Sequence, residues 1–170
     1  MQMQSTLRRN IRCGLYACMA LTLFLVEAQI PLPIPLPGVK LGLANAVTLL
    51  VMELDRPRDA LAVLLTRIVL SGLFCGQPVM LLYSLCGGLL SFCGMALLHR
   101  VLSRNLWFVS MVGSILHIVG QLVMAAHLMG TTLVANYFPI LVLFAVPAGV
   151  FNGWVVTYVA GHARKLLSNG

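Results

Sequence analysis

The sequence is short of charge, and shortest of acid. Of its 170 residues only 9% are charged, and the acids are Glu27, Glu53, Asp55 and Asp59. Against 60% hydrophobic residues and a mean hydropathy of +0.98, so few ionic groups exclude a soluble domain of this length. The chain reads as a single integral membrane domain, multi-pass, in a cell membrane. Acidic pairs of the kind that hold magnesium against a diphosphate are missing. The nearest stretch is DRPRD, Asp55 to Asp59, and its arginines suit a topology anchor better. A GxxxxGK loop followed by Ser or Thr is absent, so the chain has no P-loop for ATP. GxSxG and HExxH are absent as well. Cys13, Cys18, Cys75, Cys86 and Cys93 form no CxxC pair and read as small packing residues, not as metal ligands or a disulfide frame. No catalytic residue, metal ligand or cofactor is assigned.

What is present is greasy helix. Apolar runs between polar and Pro/Gly interruptions predict six spans, at about 11–30, 41–54, 59–74, 79–98, 106–129 and 138–161. The second is too short to cross a hydrocarbon core of about 30 Å at about 1.5 Å per residue. It must be tilted, extended or sheltered by protein. The formal charge of +7 would point to nucleic acid in a soluble protein, but here the basic residues mark sides. Arg8, Arg9, Arg12, Arg56, Arg58, Arg100, Arg104, Arg164 and Lys165 fall at one side of the six spans, which predicts that both termini are cytoplasmic. A basic head and an apolar run ending in VEA also resemble a signal peptide cut after Ala28. Cleavage would leave five spans and an uncovered bundle, so the first segment reads as a retained span.

Lys40 and Arg67 are not explained by topology. Arg67 lies mid-span, where a charge facing lipid costs at least about 2.5 kcal/mol, so it is expected to pair with Glu27 or to anchor a ligand. Ser110, Ser114, His117 and Gln121 share one helical face, which either bonds another helix or borders a cavity. By depth, Glu27, Gln29, Asn45, Tyr83 and Ser84 gather near the outer side, with Arg67, His117 and Gln121 as a floor. The inner half offers chiefly Asn152 and a peripheral Glu53, and His99 and His162 have no assigned role. A pocket open outward and closed below is expected, suited to binding a small molecule. IPLPIPLPGVKLG, Ile30 to Gly42, cannot hold a helix. At about 3.1 Å per residue it can cross the pocket mouth as a lid, or serve as a linker.

The stretches PGVKLGLANAVTLL, RDALAVLLTRIVLSGLF, LYSLCGGLLS and HIVGQLV resemble the Gx transporter family, also called heptaprenyl diphosphate synthase component I. That family is similar to the S components of energy-coupling factor transporters. The resemblance implies a six-helix membrane protein that binds a small polar or anionic molecule, amphipathic or not, and works with a membrane T subunit and cytoplasmic ATPases. It places ligand-binding roles on Lys40, Asn45, Arg67, Tyr83, Ser84, His117 and Gln121, while Ile118 departs from the Asn that family members often carry. Beside them, Glu27 joins the site by depth. Gly14, Ala17, Cys18 and Thr22 form a small-residue face that the T subunit would meet, or that would pack on the sixth span. An accessory role in prenyl diphosphate or quinone synthesis, or in a quinone-linked redox complex, is the alternative.

Overall fold

A computed structural model of the chain describes residues 2–29, 40, 42–76, 78–129 and 136–168. Among them are six helices: α1 (Gln2–Glu27), α2 (Asn45–Leu54), α3 (Pro57–Cys75), α4 (Pro78–Leu102), α5 (Leu106–Met129) and α6 (Phe138–Ser168). The proline rod expected over 30–42 lies outside the described residues, apart from Lys40 and Gly42. Local chemistry sets several boundaries. Pro57 opens α3 after an extended Arg56, and Gly76, at φ +62°, closes it by donating its N–H to the Gly72 carbonyl at 3.1 Å.

The segment from Thr6 in α1, α4, α5 and α6 as far as Leu166 are each long and apolar enough to cross a membrane. Their outer faces are apolar too: Leu15, Leu97, Val101, Leu143 and Trp154 are each at least 61% exposed. Such a surface is favourable against lipid and not against water. This is an all-α membrane protein.

The second span is not the continuous segment from residue 41 that hydropathy predicts. Gly42, at φ +86°, turns the chain, and the Asn45 and Ala46 N–H groups donate to the Gly42 and Leu43 carbonyls at 2.9 and 3.0 Å. Helix α2 begins only there. Its 10 residues cover about 15 Å, half the hydrocarbon core. Protein shelters it: α2 contacts each of the other five helices, and Asn45 to Met52 are all buried.

Helix α5 is the centre of the remaining layer, packed on α4 along one side and α6 along the other. Both contacts are backbone against backbone. A Cβ on Gly120 would stand 2.6 Å from the Cys86 carbonyl oxygen, and one on Gly153 would stand 2.3 Å from Trp107 Cα. Helix α1 packs instead on α3 and α2, so its small residues are not consumed by the sixth helix.

Three of the four carboxylates tie one end of the bundle together. Arg9 donates to Asp59 in the first turn of α3, where a carboxylate also complements the helix dipole. Arg12 Nη2 lies 2.6 Å from Asp55 Oδ1. Glu53 accepts from Arg164 of α6 and from His99 Nε2 of α4, the latter at 2.6 Å. The DRPRD stretch is thus an interhelix tie. Glu53 is not peripheral, its side chain being 6% exposed, and His99 has a structural role that the sequence reading did not assign. Cys18 and Cys93, read as packing residues, are exposed on the outer surface.

Gly153→Ala should destabilise the protein by about 1 to 3 kcal/mol, as overpacking does. Gly14→Ala, with nothing within 4 Å of an added Cβ, should cause no loss. Thermal unfolding of both variants in one detergent checks the contrast.

Candidate functional site

The site begins at the end of α1. Phe24 and Glu27 are spaced one turn apart, so they share a face, and both are buried. Two cations stand over the Phe24 ring: Lys40 Nζ is 3.3 Å from its centroid and Arg67 Cζ 5.7 Å. That placement stabilises desolvated charge through the ring quadrupole. Glu27 does not pair with Arg67 within ion-pair distance, as one reading of the sequence expected. Its carboxylate instead accepts the Gly42 N–H at 2.5 Å and the Leu43 N–H at 3.0 Å, capping the turn that starts α2. It still feels the charges of Lys40 and Arg67.

From that turn the contacts run into α5. The Lys40 N–H donates to Gln121 Oε1 at 3.1 Å. With its oxygen engaged, Gln121 has only Nε2 to offer to His117 Nε2, 3.0 Å away. The imidazole therefore accepts at Nε2 and carries its proton on Nδ1. That Nδ1 is buried without a hydrogen-bond partner. The ring is held between two glycines. A Cβ on Gly42 would lie 3.1 Å from His117 Cδ2, and one on Gly87 would lie 3.0 Å from Cε1. The rim and floor expected from depth are thus in direct contact, since the backbone of Lys40 is bonded to the floor residue Gln121.

Asn45, the first residue of α2, donates to Ser91 Oγ of α4 at 3.3 Å, while its Oδ1 has no partner. Arg67 is 2% exposed, and its Nε and Nη2 have no hydrogen-bond partner. Buried donors in this state are costly unless something accepts from them. The charge count points the same way. Glu27, Lys40 and Arg67 are 4%, 6% and 2% exposed, giving one carboxylate to two cations. The other three acids of the chain are engaged at the far end of the bundle.

The structure therefore brings together Glu27, Lys40, Asn45, Arg67, His117 and Gln121. Tyr83 is set apart, packed in an apolar cluster with Ile118, Leu122 and Leu141, its buried hydroxyl without a partner. Ser84 is buried on α4, one turn before Gly88. Ser110 and Ser114 are buried on the same side of α5 as His117 and Gln121, against Gly153 and Gly149 of α6. On α1, Gly14, Cys18 and Thr22 are exposed whereas Ala17 is buried. Thr22 Oγ1 donates to the Cys18 carbonyl at 2.9 Å, so this face carries no unmet hydroxyl. Sequence reasoning missed Phe24, Gly42, Gly87 and Ser91. Only the spacing of Phe24 from Glu27 offered a signal.

The sequence model of the heptaprenyl diphosphate synthase component I family matches residues 16–159. The chain belongs to this family. The match takes in every residue of the polar cluster and leaves out only the two ends of the chain. No curated protein and no solved structure matches this family member.

Glu27→Ala would leave the Gly42 and Leu43 N–H groups without an acceptor, at about 1 to 3 kcal/mol for a buried polar group so stranded. Glu27→Gln keeps one acceptor and should lose roughly half as much. Thermal unfolding of the two variants beside the parent protein in detergent gives the order.

Proposed function

We propose that this protein is a non-enzymatic, substrate-binding membrane subunit that captures a small anionic molecule at the Phe24, Lys40 and Arg67 cluster. The observation that supports it most is the buried Arg67, with two nitrogens unpartnered in a cluster of net positive charge. An anion supplies the acceptors and the missing charge together. The amino-terminal end of α2, buried at mid-bundle beside Asn45, adds a favourable dipole for a negative group.

In this reading the chain makes six passes, with α3 as a full span of 19 residues and α2 as a sheltered half-span. The end tied by Arg9, Arg12 and Arg164 faces the cytoplasm, together with both termini, and the site opens outward. Energy comes from partners in the manner of energy-coupling factor importers: a membrane T subunit and cytoplasmic ATPases. The exposed Gly14 of α1, with Cys13 and Ala17, borders a groove of about 240 Å³ that also reaches Ala62 and Thr66 of α3, a surface that accepts a close-packed helix.

The family description favours a second reading, an accessory to prenyl diphosphate synthesis that holds the diphosphate anion. Magnesium-dependent product formation by the purified chain with a soluble partner synthase would select it.

Native mass spectrometry of the protein taken from its own membrane should show a bound acid of low mass. Arg67→Ala and Lys40→Ala should each weaken its retention at least about tenfold, the scale of a lost charge-assisted hydrogen bond. Wild-type occupancy in both variants would remove the site.

A further inference from the structure

A second feature lies at the opposite end of the bundle from Glu27 and stands independently of the reading above. A polar cavity of about 560 Å³ opens between the ends of α4 and α6 and the start of α5. Its walls include Glu53, His99, Ser103, Arg104, Thr157 and Arg164. Glu53 is committed inside the protein, accepting from both His99 and Arg164. Arg104 makes no ion pair among the described residues. Two guanidiniums against one engaged carboxylate leave the cavity positive, with the Ser103 hydroxyl beside them.

Thr157 lines a second space as well. This is an apolar groove of about 670 Å³ on the outer surface between α5 and α6, walled by Trp107, Val146, Val150, Phe151 and Trp154. Val146, Val150, Trp154 and Thr157 recur at helical spacing along one face of α6. From Thr157 to Val146 the groove follows eleven residues, about 16 Å of helix. That is close to the depth of one leaflet, half of the roughly 30 Å core. Trp107 and Trp154 are 48% and 67% exposed, and Trp107 sits three residues after Arg104, the placement of an interfacial aromatic anchor.

We propose that the cavity and the groove, which meet at Thr157, together form a binding site for an anionic phospholipid of the surrounding bilayer. Its phosphate head lies by Arg104 and Arg164, and one acyl chain lies along Trp154 and Val150. Charge complementarity selects an anionic head over a zwitterionic one, because basic pockets between helices hold such heads. The groove length selects a chain that ends at mid-bilayer over a longer isoprenoid.

The test uses the delipidated full-length protein in detergent, offered equimolar phosphatidylglycerol and phosphatidylcholine with matched chains and read by native mass spectrometry. Phosphatidylglycerol should be retained over phosphatidylcholine by at least roughly fivefold, the scale of one basic residue near a membrane surface. Arg104→Gln should erase that preference. Arg100→Gln, exposed on α4 but outside the cavity walls, should keep it. Trp154→Ala should lower occupancy by both lipids, and the exposure of Trp154 and Arg104 keeps folding out of the result. Equal retention of the two lipids, or an Arg100→Gln loss matching that of Arg104→Gln, would overturn the proposal. So would unchanged lipid occupancy in Trp154→Ala. Displacement of phosphatidylglycerol by equimolar farnesyl diphosphate would reassign the site to an isoprenoid. Displacement by inorganic phosphate would reduce it to a simple anion pocket.

Discussion

A ten-residue helix held inside a membrane protein must have the polar groups at both its ends satisfied by protein, because lipid offers no hydrogen bonds. Helix α2 imposes that condition on the rest of this molecule. Its start is met by Glu27, whose carboxylate reaches the turn from the end of α1. Beyond its last turn, Asp55 donates its N–H to the Val51 carbonyl at 2.9 Å and holds Arg12. Five helices close around the segment so that no part of it has to face hydrocarbon. The polar cluster lies where this enclosure meets α5, and its position follows from where α2 stops being helix.

The acids are divided accordingly. Asp55, Asp59 and Glu53 each join two or more helices at one end, where exposed arginines keep one side of each pair in contact with water. Surface pairs of that kind contribute little stability singly, but they fix which helix ends stay together. Glu27 is the exception. It is buried, bonded to backbone and outnumbered by buried cations, so the two ends of the bundle differ in kind: at one, carboxylates join helices, and at the other a carboxylate caps a turn.

Much of this was legible from sequence. The apolar runs and their Pro and Gly interruptions located all six helices, because hydropathy and helix breakers act locally. The burial of Ser110, Ser114, His117 and Gln121 followed from their spacing alone. The start of α2 did not, since it depends on a left-handed glycine and a carboxylate 15 residues upstream. Glu53 was misjudged for a similar reason: its partners His99 and Arg164 are 46 and 111 residues away. Tyr83 was grouped with Glu27 and Asn45 by depth, and depth fixes a residue's height in the bundle while leaving its direction around the helix open. The cation-bearing Phe24 carried no polarity to mark it.

The chain holds two tryptophans, Trp107 and Trp154, and both line the same outer groove. Neither touches the Phe24, Lys40 and Arg67 cluster. Intrinsic fluorescence is therefore a one-channel optical reporter of the groove's occupancy and wetness. A quencher carried on a lipid tail would read that surface in the unlabelled protein, while a molecule settling at the polar cluster would leave the emission dark to its arrival.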